Sequence, residues 1–185
     1  MSKKLKAAFI DRDGVINEER NYVYQVEDFV LLPGVVQGLS ILREAGYLLI
    51  IVTNQAGIAR GYYNHSSVDT LHEHMFDQLA QQGVFLDAVY FCPHHPHGKI
   101  KKLAFQCECR KPSPGMLNAA ALEFNLDLSA SVLIGDKFTD IQAGKRAGVG
   151  KNIIVESGHY LEQEARLQAD LIAKDLLAAA RNVTI

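Results

Sequence analysis

The sequence predicts a three-layer α/β/α domain built on a doubly wound, Rossmann-like parallel sheet. Short runs that are apolar throughout, instead of alternating with polar residues, recur along the chain. Such runs suit strands buried on both faces. Helix-period segments separate them, and regular β-α alternation favours parallel crossovers. At 185 residues, with no repeat, low-complexity tract or Pro/Ser-rich linker, the whole chain, 1–185, is expected to form one domain.

The strand candidates in order are AAFI (7–10), YLLIIV (47–52), LDAVYF (86–91), SVLI (131–134), KNIIV (151–155) and ADLIA (169–173). The first helix, 34–46, follows Pro33 and stops at Gly46. The second, 67–83, has a serine available as cap and a glycine at its end. Helices over 114–125, 139–148 and 160–169 complete the set. One long irregular segment remains, 92–112, and a loop of that length in a compact domain calls for a reason.

Nineteen basic and twenty-one acidic residues leave a net charge of −2, which gives no general attraction to nucleic acid or anionic membrane. No apolar run approaches the roughly 20 residues that span a bilayer. The apolar stretch after the basic start MSKKLK is too short for a signal peptide, so a cytoplasmic location is expected.

The chemistry concentrates where apolar runs end. The first run meets Asp11-Arg12-Asp13, two carboxylates that repel unless a cation or a shared proton relieves them. A hard divalent ion such as Mg²⁺ prefers such oxygen ligands. The second run ends in VTNQAG, offering the Thr53 hydroxyl, and the fourth in IGDKFTD, offering Asp136 and, one helical turn on, Asp140. CRKPSPGM supplies Arg110 and Lys111 just before a helix. Taken singly, these are a turn, a cap and surface charges. In a parallel sheet they collect along one edge, carboxylates for a cation beside hydroxyl and ammonium donors for an anion. That combination suits phosphoryl transfer, which depends on positioning and charge stabilisation.

The order FIDRDG, VTN, RKP, IGDKFTD resembles the haloacid dehalogenase (HAD) superfamily of phosphohydrolases along nearly the whole chain. The residues alone leave open which aspartate is the nucleophile. The resemblance implies that Asp11 attacks phosphorus and that Asp13 is the general acid and base. It also implies Mg²⁺ held by the Asp11 carboxylate, the Asp13 main-chain carbonyl and Asp136. Thr53 and Lys111 would hold the phosphoryl group, with Asp140 behind them. It places Asn54, Gln55 and Ala56 in a substrate-contacting turn. No insertion is long enough for a full cap domain, so the site is expected to be partly open.

Within the long loop, Cys92-x-His94, twelve intervening residues and Cys107-x-Cys109 bring together all three cysteines of the chain. Three thiolates and one imidazole make a closed structural Zn²⁺ set. Spacing leaves His94, His95 and His97 as alternatives for the imidazole, and the C-x-H…C-x-C pattern of family members favours His94. With few apolar residues to bury, this loop, 92–109, would fold around its metal.

The zinc loop, TNQAGIARG and CRKPSPGM are similar to the sugar-bisphosphate phosphatases of the superfamily. A small-molecule sugar bisphosphate, handled by a monomer without nucleic-acid or membrane partners, is the implied substrate. Its distant phosphate is expected to meet Arg110, with Glu19, Arg20, Asn21, Tyr22 and Lys137 assisting. Arg60 is a weaker candidate, Tyr62 and Tyr63 are packing or rim residues, and His65, His72 and His74 are ordinary helical positions. Two readings compete. Histidinol-phosphate phosphatases share the nucleophile motif and a related zinc loop but lack GIARG. A zinc-dependent nucleic-acid-binding module would use KIKKLAFQCECRK as its basic patch.

Overall fold

The computed structural model describes residues 4–183. The elements run β1 (Lys6–Ile10), α1 (Val35–Glu44), β2 (Tyr47–Asn54), α2 (Gly57–Arg60), α3 (His65–Ala80), β3 (Ala88–Cys92), α4 (Gly115–Glu123), β4 (Val132–Gly135), α5 (Phe138–Ala147), β5 (Lys151–Val155), α6 (Gln163–Gln168), β6 (Leu171–Ala173) and α7 (Leu176–Val183). The six strands pair in parallel in the order β3-β2-β1-β4-β5-β6.

The unbroken apolar strands have the meaning expected of them, because helices cover both faces of the sheet. Ala8, Ile10, Leu49, Ile51 and Ile134 point to one side, against Leu39 and Leu42 of α1, Leu71 and Met75 of α3, and Ala179 and Ala180 of α7. Ala7, Phe9, Ile50, Val52 and Leu133 point to the other, against Met116, Leu117 and Ala120 of α4 and Ala143 of α5. Strand residues of both parities are therefore withdrawn from water, and an alternating pattern would leave half of them mispaired with their surroundings.

Several boundaries differ from the sequence expectation. Helix α3 begins at His65, because Asn64, not a serine, accepts the Ser67 N–H at 2.9 Å and caps it. Helix α6 is cut to Gln163–Gln168. Helices α2 and α7 were not expected. The first has four residues, too few to show a period. The second, LLAAARNV, owes its place to packing Leu176, Ala179 and Ala180 onto the sheet. Among the described residues, no helix is long and apolar enough to cross a membrane.

Strand β1 lies between β2 and β4, with Ala8 opposite both Leu49 and Val132. The chain crosses to one side of β1 to make β2 and β3, then returns to the other side for β4. The connections leave the sheet in opposite directions there, opening a crevice at the carboxyl ends of β1 and β4.

Candidate active site

Asp11 follows the last residue of β1, and its N–H donates to the Ile134 carbonyl at 2.9 Å. Asp136 follows the last residue of β4, so the two carboxylates sit on adjoining strand ends. Helix α5 starts immediately after, and Asp140 in its first turn accepts the Lys137 N–H through Oδ2 at 3.0 Å. Oxygens of Asp11, Asp136 and Asp140 come within 4.8 Å of one another, and all three residues are buried. Asp136 Oδ1 has no hydrogen-bond partner although it is shielded from water. An orphaned buried acceptor among carboxylates costs free energy that a divalent cation would offset. The donor set therefore fits Mg²⁺.

Lys111 enters the same cluster from the loop before α4. Its Nζ lies 2.9 Å from Asp11 Oδ1 and 2.6 Å from Asp140 Oδ1, and donates to the Val52 carbonyl at 2.7 Å. Burial alone would lower its pKa, but the two carboxylates outweigh burial and hold the ammonium above its ordinary value. For Asp11, burial dominates and raises the carboxyl, with Asp140 adding to the rise and Lys111 opposing it. Asn54 clamps the Lys111 main chain, donating to its carbonyl at 3.0 Å and accepting its N–H at 3.1 Å. The end of β2 is thereby tied to the lysine.

Asp13 is held differently. The fully buried Arg12 guanidinium contacts both of its oxygens at 3.0 Å, Asn17 Nδ2 donates at 3.0 Å and Gln55 Nε2 at 3.1 Å. Burial would raise this carboxyl, yet these donors together bring it below its usual range. Arg12 also meets Val23 O at 2.8 Å and His72 Nε2 at 3.2 Å. Burial, with the guanidinium beside it, pushes His72 down to about 3, so it remains a neutral acceptor. His72 is thus a support of the site, and its helical spacing gave no sign of that.

The Gln55 side chain is 2% exposed and its amide is committed inward, donating to Thr53 Oγ1 at 2.9 Å as well as to Asp13. Tyr63 O–H donates to its Oε1 at 2.8 Å, which fixes which way the amide faces.

These groups open into a cleft of about 320 Å³. Of the expected residues, Asp11, Asp13, Glu19, Asn21, Tyr22, Thr53, Asn54, Gln55, Ala56, Arg110, Lys111 and Lys137 line it. Arg60 and Tyr63 line it as well. Arg20 lies outside the lining, paired at the surface with Glu18 at 2.6 Å. His159 and Thr139 line the cleft and were not expected there. The ring Nδ1 of His159 sits 2.6 Å from Asp136 Oδ2.

Gly14 makes room for this arrangement. Its φ of +85° lies in the left-handed region, and a Cβ there would overlap the Asp136 carboxylate and Gly158 Cα. Gly14→Ala is expected to lose about 1–2 kcal/mol from backbone strain alone and to weaken Mg²⁺ binding as Asp136 is displaced. Chemical denaturation and calorimetric titration of the metal measure the two effects separately.

The long loop folds back on itself, and the ligand atoms of Cys92, His94, Cys107 and Cys109 also fall within 4.8 Å of one another. The sulfurs are 3.2, 3.3 and 3.5 Å apart, and His94 Nδ1 is 3.3 Å from Cys109 and 3.7 Å from Cys92. A tetrahedron with 2.3 Å metal–sulfur bonds has edges of roughly 3.8 Å, so the cluster needs only slight expansion to hold a metal ion. Every residue from Pro93 to Arg110 is half-buried or exposed. Arg110, next after Cys109, donates to the His94 carbonyl at 3.3 Å.

Comparison with known proteins agrees with this chemistry. The HAD-hydrolase-like family profile matches residues 108–179. D-glycero-β-D-manno-heptose-1,7-bisphosphate 7-phosphatase from Yersinia pestis is 42% identical over 176 residues, which cover 95% of this chain and 94% of that protein. The chain belongs to the HAD-like heptose-bisphosphate phosphatase family. Another member, D-glycero-α-D-manno-heptose-1,7-bisphosphate 7-phosphatase from Photorhabdus laumondii, is 46% identical over 156 residues, 84% of this chain and 85% of that one. The solved D,D-heptose 1,7-bisphosphate phosphatase from B. bronchiseptica, complexed with magnesium and phosphate, matches with a TM-score of 0.82 and 31% identity. The match covers 97% of this chain and 98% of that structure. Family membership makes the protein a phosphoric monoester hydrolase, and so an enzyme, against the reading as a binding module alone.

Proposed function

We propose that this chain removes the 7-phosphate of D-glycero-D-manno-heptose 1,7-bisphosphate, a step in making ADP- or GDP-heptose. The observation that carries the reading is the convergence of Asp11 with the buried Asp136 from neighbouring strand ends, beside a cleft that Asp11, Thr53 and Lys111 line together. The names of the relatives support the substrate.

Asp11 attacks phosphorus and forms an aspartyl-phosphate while the P–O bond to the sugar breaks. Asp13 gives its proton to the departing alkoxide, then takes one from the water that hydrolyses the acyl phosphate. The charge of the arriving phosphate raises the Asp13 carboxyl, which favours the protonated form this role needs. Thr53 and Lys111 hold the phosphoryl oxygens as charge builds on them. Mg²⁺, held by the Asp11 carboxylate, the Asp13 main-chain carbonyl and Asp136, would offset repulsion between the carboxylate nucleophile and the phosphate. Asp140 anchors Lys111.

The distant phosphate meets Arg110, with Lys137, Glu19, Asn21 and Tyr22 completing the wall, and Asn54, Gln55 and Ala56 form the floor of the turn. Cys92, His94, Cys107 and Cys109 would hold Zn²⁺ in a structural role, fixing the loop that carries Arg110 and Lys111.

Phosphate release from both heptose bisphosphate anomers, fructose bisphosphate and histidinol phosphate, measured side by side with Mg²⁺, tests the reading. Preference for a heptose bisphosphate is expected. Turnover confined to histidinol phosphate would replace it with the competing assignment.

A further inference from the structure

We infer that His159 is a positioning residue for Asp136, turning one carboxylate oxygen toward the catalytic cation by occupying the other. The inference rests on the reading that Asp136 holds Mg²⁺.

His159 lies on the turn that leaves β5, far along the chain from Asp136 and outside every motif discussed above. Two of its groups converge on one atom. The main-chain N–H donates to Asp136 Oδ2 at 3.0 Å, and ring Nδ1 approaches the same oxygen at 2.6 Å. A carboxylate only accepts, so the ring proton sits on Nδ1. The ring's other nitrogen, Nε2, faces Glu19 Oε2 at 3.7 Å.

The carboxylate has little freedom to answer in any other way. It is packed between the backbones of Gly14 and Gly158, where a side chain on either would overlap it. With Oδ2 saturated, Oδ1 is left buried and without a partner. Mg²⁺ requires near-ideal octahedral geometry with short bonds and tolerates a swinging or bidentate carboxylate poorly. Holding one oxygen in a hydrogen-bonded grip presents the other as a single, aimed ligand. Groups that orient a metal ligand in this way commonly contribute to affinity about as their loss predicts, 10–100-fold.

A different account is open to the same contact: the imidazole could be a rim residue resting on the nearest acid. The two accounts differ in what a smaller donor would do. Asparagine can present an N–H close to the position of imidazole Nδ1–H, whereas alanine cannot.

The test is calorimetric titration of Mg²⁺ into zinc-loaded protein, comparing the natural chain with His159→Ala, His159→Asn and Asp136→Asn. His159→Ala should raise the Mg²⁺ dissociation constant roughly tenfold, at the low end of that range because the main-chain N–H still donates. His159→Asn should stay within about threefold of the natural chain. Melting temperatures without Mg²⁺ should be nearly unchanged. Equal affinity in the natural chain and His159→Ala overturns the inference, as does equal loss in the alanine and asparagine variants. A natural chain that binds no Mg²⁺, or undiminished binding by Asp136→Asn, overturns the metal-site reading beneath it.

Discussion

Replacing Asp11 by asparagine is expected to lower phosphate release by roughly 10⁴-fold or more, the order seen when a covalent nucleophile is removed. The same change should leave the fold intact. An amide in place of the acid keeps the shape, and its oxygen can still accept from the Arg12 N–H and Lys111 Nζ. Lys111 retains its ion pair with Asp140 at 2.6 Å, so no buried cation is left unpaired. Burial already raises the Asp11 carboxyl, and Asp140 adds to that rise. A neutral side chain removes both penalties, so the melting temperature should hold steady or rise, as happens where a site is built against stability. Acid-quenched reactions should contain no phosphorylated protein. Activity above about 1% of the natural level would count against Asp11 as nucleophile.

Cys107→Ser should strip the metal from the long loop. Three ligands remain, and zinc content is expected to fall from about one per chain to near zero, because a structural site needs all four ligands to bind tightly. The loop has no apolar core to fall back on, since Pro93 to Arg110 are all half-buried or exposed. Limited proteolysis should then cut within 93–109, while the sheet stays resistant. Activity should fall as well, since Arg110 and Lys111 leave the knot directly after Cys109. Lys111 is partly protected, because Asn54 grips its main chain from β2. Elemental analysis showing full zinc content in this variant would refute the ligand set, and an unchanged cleavage pattern would refute the metal's structural role.

Several of the groups that the sequence disclosed lie at the ends of apolar strands, Asp11 and Asp136 directly after β1 and β4 and Thr53 next to last in β2. Asp11, Thr53 and Asp136 could be located because a buried run that ends in a polar residue marks a strand end, and parallel strands bring their ends to one side. The strand order was not readable, since it depends on which edge each crossover packs against. What escaped notice arrives through tertiary packing. His159 reaches Asp136 only after the chain has made β5 and turned back. His72 joins the site because its helix lies against the Arg12 guanidinium. Gln55 and Asn54 were expected to touch substrate, and both line the cleft, but their side-chain hydrogen bonds run to Asp13, Thr53 and the Lys111 backbone. Helix α7 has no distinctive stop signal, and its identity as a helix comes from the face it covers.

The central placement of β1 has a consequence for how the enzyme comes into being. Once synthesised, β1 must wait, with one flank open, until β4 has been made and can slot in beside it. An amino-terminal fragment ending before residue 136 lacks Asp136, one of the three carboxylates that gather at the strand ends. With Asp136 as a ligand of the catalytic cation, a product terminated before that point is expected to release no phosphate.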